Sequence, residues 1–216
     1  MQLSPGLVHI VDDNATFRKT VEGLLQQFGY EVVTYSSAQQ LLDDLPNENI
    51  PSCIVLDVRL PEMSGPQLQQ RLIEIGSRVP IIFLSGYSDV PITVRTMKAG
   101  GEDFLIKPVS SEDLLKSVAR AIERHKAALD IKQMRDAFFS RIATLTPRER
   151  QVFELVIRGK TNKGAATALG STERTIKAHR HMVMEKLQVR SLVELVSLAQ
   201  RVGVLDGTSH QPGAGH

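Results

Sequence analysis

Asp12-Asp13, Asp57, Ser85 and Lys107 each stand at the end of a short, mostly apolar run, residues 7–11, 53–56, 80–84 and 103–106. Runs of this length bounded by turn formers read as strands, and the run at 53–56 as one buried on both faces. In an open parallel α/β sheet the carboxyl ends of the strands line the ligand crevice, so these side chains converge on one edge. Taken singly, an Asp ending a strand is a turn or helix cap, and Ser85-Gly86 is a common turn pair. Together they make a site. Three carboxylates in one crevice repel, and one takes up a proton unless a cation neutralises them. An all-oxygen set with neither His nor Cys points to Mg²⁺ rather than zinc. With that charge neutralised Asp57 stays ionised and can attack phosphorus, while Lys107 and the Ser85 hydroxyl hold the transferred oxygens. The product is an aspartyl phosphate.

The elements that must position these groups alternate along the first half. A strand at 7–11 is followed by a helix whose apolar positions Phe17, Val21, Leu24, Leu25 and Phe28 share one face, closed by Gly29. A strand from Glu31 to Tyr35, a helix from Ser37 to about Leu45, and the strand that ends at Asp57 come next. Gly65-Pro66 starts a helix through Ile75; a strand at 80–84, a helix over 90–99 and a strand at 103–106 follow, and a last helix starts near Ser111. Five strand–helix units of this length predict an α/β fold, a doubly wound five-stranded parallel sheet with helices on both faces.

At 216 residues and 42% hydrophobic content the chain has room for two small domains with ordinary cores. No apolar run approaches the roughly 20 residues that span a bilayer, and Met1 to Gly6 lacks an export signal, so no membrane partner is expected. A single cysteine, Cys53, sits inside an apolar strand and suits a reducing cytoplasm, as packing rather than nucleophile. The net charge of +2 conceals a division: residues 1–124 hold 11 Lys/Arg against 16 Asp/Glu, and residues 125–216 hold 15 against 8. An acidic half suits a metal or a protein partner, and a basic half suits a polyanion.

The set Asp12-Asp13, Asp57, Ser85 and Lys107-Pro108, spaced along five strand–helix units, resembles the receiver domain of two-component response regulators across residues 7 to about 124, which sets a receiver domain at 1–124. The resemblance implies a flavodoxin-like strand order 2-1-3-4-5 and makes Asp57 the phosphoacceptor. It assigns Mg²⁺ to Asp13, Asp57 and the backbone carbonyl of Arg59, with Asp12 acting through water. It also makes Ser85 the switch hydroxyl, Phe104 the switch aromatic, Lys107 the phosphate-binding cation, and Lys107-Pro108 a cis peptide. From residues alone, Phe104 beside a short strand reads as core.

From Ser111 a helical pattern runs on without Pro or Gly to Thr146, which predicts a helical linker over 125–143. Its apolar spacing slips out of one heptad register, favouring a stalk that packs partly on its own domains over a coiled coil. In the basic half, Thr146-Pro147 with Glu149 forms a capping box opening a helix to about Arg158. A short helix spans 162–169, Thr172 caps a third from Glu173 to about Leu187, and Ser191 with Glu194 forms a box opening a fourth to about Val202. This predicts an all-α four-helix helix-turn-helix domain over 144–206. On the third helix Ile176, Val183 and Leu187, with His179 between, should pack inward, while Arg174, Lys177, Ala178 and His181 share another face. Two cations, a small residue and a further donor suit a major groove, and Lys163 and Arg180 suit phosphates. Taken alone, such a run is an ordinary solvated basic face.

The stretch from Leu145 to about Ala199, with Thr161-Asn-Lys163, Arg174-Thr-Ile-Lys177 and Glu185-Lys-Leu187, resembles the LuxR/NarL output domain. The resemblance makes Glu173 to Leu187 the recognition helix and the last helix a dimer surface. Where the family has an acidic and then a bulky aliphatic residue, this chain has Gly164-Ala165; glycine inside a helix costs about 1 kcal/mol relative to Ala, which puts DNA affinity in question. The tail 207–216 has no core residues and reads as disordered.

Receiver, linker and output together resemble the FixJ-type branch of response regulators. That implies a cytoplasmic transcriptional regulator with a sensor histidine kinase and promoter DNA as partners, homodimerising on phosphorylation and with RNA polymerase as a further contact. It would be no enzyme beyond its own phosphoryl acceptance and loss. Two rivals stand beside it. A Mg²⁺-dependent phosphohydrolase would want a second carboxylate close after its nucleophile, where this chain has Arg59; an adaptor would keep the receiver only as a docking surface.

Overall fold

The computed structural model describes residues 6–86 and 90–204, with the side chains of 90–93 left aside; the expected disordered tail, 207–216, lies outside the described residues. Two compact units divide between Leu129 and Asp130.

In the first unit strands β1 (Leu7–Val11), β2 (Glu31–Tyr35), β3 (Ser52–Asp57), β4 (Ile81–Ser85) and β5 (Asp103–Ile106) alternate with helices α1 (Ala15–Gln27), α2 (Ala38–Asp43), α3 (Gly65–Glu74) and α4 (Val90–Lys98), and α5 (Ser111–Ala143) follows. The sheet is parallel throughout, in the order β2-β1-β3-β4-β5. Every residue of β3 and β4 is buried, as strands covered on both faces require. Val8, Ile10, Val55 and Ile82 pack with Val21 and Leu25 of α1 and with Leu114, Val118 and Ile122 of α5. The opposite face carries Val11, Ile54, Leu56 and Phe83 against Leu41 of α2 and Leu68 and Leu72 of α3. Cys53 is wholly buried in this core and burial pushes its thiol up, which makes it packing.

Two strands extend one residue beyond their apolar runs. Asp57 and Ser85 are themselves paired, Asp57 with Leu84 and Ser85 with Ile106. The ladder therefore fixes the backbone of the residues that end it.

The helix α5 runs through the stretch expected as linker. His125 is buried, and its Nδ1 accepts from the Ser52 backbone N–H at 3.0 Å. Further along, Phe138 and Ile142 enter the core of the second unit. That unit holds α6 (Pro147–Ile157), α7 (Asn162–Leu169), α8 (Glu173–Lys186) and α9 (Leu192–Arg201). Val152, Phe153, Val156, Ile176, Val183, Leu187 and Leu195 form its centre, with the Phe138 ring edge-on to Phe153. The Thr146–Glu149 capping box is complete. The second expected box closes differently: Ser191 accepts from Glu194 N–H, but the Glu194 carboxylate takes the N–H of Arg190 rather than of Ser191. His179 is half-buried rather than packed inward with Ile176 and Val183.

His9 is the other buried histidine of the first unit. Its Nδ1 lies 3.2 Å from the Tyr35 hydroxyl, which donates to Asp44, and Nε2 meets no partner among the described residues. Burial pushes the imidazole down to about 4, against the pull of Asp44. Between its ordinary value of 6.5 and about 4 the unfolded chain binds a proton that the folded chain refuses. Its stabilisation is therefore present above pH 6.5 and lost as pH falls toward 4. His125, pushed down by the same burial, loses stability in the same direction. Urea unfolding of the full chain from about pH 7 to about pH 4 should show a receiver transition weakening by up to roughly 3 kcal/mol on account of His9, and a clearly shallower slope for His9→Phe. Equal slopes would show that His9 is not held neutral.

Candidate functional site

Sheet register brings the first two carboxylates together. Val11 of β1 pairs with Leu56 of β3, so the residues next along, Asp12 and Asp57, end side by side. Asp12 is wholly buried and Asp57 is 8% exposed, while Asp13 faces solvent. Carboxylate oxygens of all three lie within 4.8 Å of one another. Each buried carboxylate also receives a backbone donor: Asn14 N–H to Asp12 Oδ1 and Arg59 N–H to Asp57 Oδ1, both at 2.8 Å. The Arg18 guanidinium donates to the Asp12 carbonyl at 2.6 Å.

Lys107 closes the site from the end of β5. Its ammonium donates to Asp12 Oδ2 at 2.6 Å and to Asp57 Oδ2. Burial would push that ammonium down, but the hydrogen bonds to Asp12 and Asp57 hold it above its ordinary value. The Asp57 carboxyl is raised as well. Burial raises its carboxyl and the Asp12 charge adds to this, against the lowering hydrogen bonds from Lys107 and Arg59 N–H. Ser85 is buried at the end of β4, where its hydroxyl donates to the Gly86 carbonyl at 3.4 Å and its own carbonyl accepts from Lys107 N–H at 2.7 Å. The Lys107-Pro108 peptide is cis. Phe104 is half-buried against the α2/α3 side of the core.

Three carboxylates and one ammonium leave a formal charge of −2 on an all-oxygen donor set. That charge and those donors fit a hard divalent ion such as Mg²⁺.

Three neighbours of the site carried no functional signal as isolated residues. Phe17 counts as one more apolar position of α1, yet its ring lies under the Lys107 ammonium, 4.4 Å from Nζ to the centroid. Asn14 caps α1, its side chain accepting from Thr16 and Phe17 N–H. Gly65 opens α3 where a Cβ would stand 2.5 Å from the Asp57 carbonyl oxygen and 3.1 Å from Val58 Cα. Only a residue without a side chain lets that helix start so close to Asp57.

In the second unit Thr161 caps α7, Gly170 ends it in the left-handed region at φ 57°, and Thr172 caps α8. Arg174, Lys177, Ala178 and His181 on α8 are exposed, as is Lys163 on α7. Arg180 is half-buried and donates to Asn162 Oδ1 at 2.7 Å, tying α8 to α7. Gly164 and Ala165 leave α7 continuous; Ala165 is buried, and a Cβ at Gly164 would meet nothing nearer than Thr161 Oγ1 at 3.5 Å. Beneath, the Lys186 ammonium donates to the buried Glu149 carboxylate at 2.7 Å and lowers its pKa.

The two units match two family models, the response regulator receiver domain over residues 8–119 and the luxR family of bacterial regulatory proteins over residues 143–199. The chain belongs to the response regulators that join a receiver to a LuxR-type helix-turn-helix domain, and is a phosphorylation-controlled transcriptional regulator of a two-component system. Among relatives, nodulation protein W of Bradyrhizobium diazoefficiens is 38% identical over 198 residues, covering 92% of this chain and 87% of that one. The transcriptional regulatory protein FixJ of the same species is 38% identical over 201 residues, covering 93% and 98%. The solved structure of the response regulator StyR is 39% identical, with a TM-score of 0.80, and covers 91% of this chain and 98% of that one.

The crowding at Gly65 yields a test that needs no ligand. Gly65→Ala should lower the stability of the full chain's receiver transition by about 1–3 kcal/mol, because the clash is with backbone that cannot swing aside. Gly86→Ala, where a Cβ meets nothing within 4 Å among the described residues, should leave the midpoint unchanged within error. Equal effects, read by thermal unfolding, would contradict the close approach of α3 to Asp57.

Proposed function

We propose that Asp57 accepts a phosphoryl group from a sensor histidine kinase, and that the phosphorylated chain binds promoter DNA in the cytoplasm as a homodimer. The observation that carries this reading is the Lys107 ammonium bound at once to Asp12 and Asp57, with Asp13 beside them. An Asp57 oxygen bonds to phosphorus while the bond from phosphorus to the donor histidine nitrogen breaks, the nitrogen keeping the electron pair. Asp13, Asp57 and the Arg59 carbonyl, with Asp12 through water, would hold Mg²⁺, which would supply the positive charge that lets an anion approach an anion. Lys107 gives up its hydrogen bond to the Asp57 carboxylate and donates to a phosphoryl oxygen. The Ser85 hydroxyl turns from the Gly86 carbonyl to another. Phosphorylation thereby repositions a group on β4 and the backbone around it, and Phe104 on β5 repacks with it.

The face beside those strands suits a partner copy. Val94 and Met97 of α4 and Ile106 of β5 are large apolar side chains left exposed. Scattered exposed apolar residues are ordinary, so the reading rests on their position next to Ser85 and Phe104 rather than on their number. In the output unit Lys177, Ala178 and His181 face the bases with Arg174, while Lys163 and Arg180 serve phosphates, and RNA polymerase is a further partner of the bound dimer.

With a small phosphodonor and Mg²⁺, wild type should carry one acyl phosphate, mapped to Asp57 by mass spectrometry. Its dimerisation in sedimentation should tighten at least about tenfold, ~1.4 kcal/mol. Asp57→Asn should show neither. Phosphate found on another residue contradicts the assignment of Asp57, and phosphorylated wild type that sediments like the unphosphorylated chain contradicts the dimer.

A further inference from the structure

An ammonium group has three N–H bonds, and at Lys107 two of them go to Asp12 and Asp57. The Phe17 ring lies 4.4 Å from Nζ to its centroid, well inside the roughly 6 Å over which a ring face attracts a cation. The ring is fixed from two sides. Phe17 packs, partly buried, against the core that contains Val8, Val21 and Leu25. Its backbone N–H is held at 3.1 Å by the Asn14 side chain, and Asn14 N–H in turn donates to Asp12, the carboxylate that also binds Lys107.

We infer that Phe17 is a positioning residue for phosphoryl transfer, its ring face holding the Lys107 ammonium over Asp57; this rests on the phosphoacceptor reading above. When Asp57 becomes an acyl phosphate its carboxylate charge is consumed, so Lys107 must exchange that partner for a phosphoryl oxygen while Asp12 stays in place. The ring is a partner that does not change. It keeps the ammonium from turning into solvent and leaves it to donate to the new phosphoryl oxygens. Phe17 therefore counts for more while Lys107 changes partners than in the resting site, where two carboxylates already hold it, and a contact of that kind affects rate. A purely structural ring would act through volume alone; this one acts through its π-face, and the two are separable by chemistry.

The test compares Phe17→Leu, which keeps an apolar side chain without a π-face, and Phe17→Tyr, which keeps both, in the full chain. Two readouts are used: the ¹H–¹³C NMR signals of the Lys107 ε-methylene without any added ion or phosphodonor, and the rate of acyl phosphate formation on Asp57 from acetyl phosphate with Mg²⁺. The ε-methylene protons should be shifted upfield by the ring in wild type and Phe17→Tyr, and the shift should vanish in Phe17→Leu. Acyl phosphate formation should slow by about 3- to 10-fold in Phe17→Leu and stay within about twofold in Phe17→Tyr. Equal rates for wild type and Phe17→Leu, or equal slowing in both variants, would overturn the inference alone. A wild type that takes no phosphate on Asp57 would overturn the phosphoacceptor reading and the inference with it, whatever the NMR signals show.

Discussion

One cation between two buried carboxylates sets the terms for the first unit. Lys107 extends from the edge strand β5 past the end of β4 to reach Asp57 on β3 and Asp12 beyond β1, and only the order β2-β1-β3-β4-β5 places those ends within one side chain's length. Without the ammonium, Asp12 and Asp57 would be two charges facing each other in a site largely closed to water, and one would protonate. With it part of the negative charge is offset, but the set remains formally short of neutral, which leaves a demand for further positive charge. Under the proposed function this site takes up an ion and a phosphoryl group, and Lys107 is the group that changes partners.

The contrast with the two buried histidines shows why that pairing matters. His9 and His125 are as secluded as Asp57, but their partners are a tyrosine hydroxyl and a serine N–H rather than a fixed opposite charge, and burial pushes both toward the neutral form. At the strand ends, donors were supplied to each carboxylate instead: Lys107 to both, Asn14 N–H to Asp12 and Arg59 N–H to Asp57. Similar burial thus leaves silent packing groups in one place and donor-bound carboxylates in another. The difference lies in what the backbone and one lysine bring to them.

Most of the architecture was legible because parallel strands buried on both faces leave continuous apolar runs, and each run here ends in a polar residue. Strand ends were legible to within a residue, since apolarity stops at Leu56 and Leu84 whereas ladder pairing continues through Asp57 and Ser85. Helical periodicity marked α5 over its length, but periodicity names a face and not its partner. It gave no sign that His125 packs on Ser52 while Phe138 and Ile142 join the second core. Glu194 was assigned to Ser191 by spacing, yet its longer side chain reaches the N–H one residue earlier. Phe17 and Gly65 were invisible as site residues for a common reason: each acts through a contact made across the fold, and its type and spacing already had an ordinary explanation within its own helix.

The output unit presents a short capped helix and then α8, whose buried side carries Ile176 and Val183 and whose opposite side exposes Arg174, Lys177, Ala178 and His181. The account holds that this face is put to use by the chemistry at Asp57. The most direct measurement is selection from a randomised duplex pool by wild type and Asp57→Asn, with and without acetyl phosphate and Mg²⁺, at one fixed salt concentration because phosphate contacts make affinity salt-dependent. Enrichment of a two-fold-symmetric site that requires both the phosphodonor and Asp57 is the predicted result. The same site enriched equally under every condition would contradict the account, leaving the DNA-binding unit in place but uncoupled from the carboxylates that the receiver is built around.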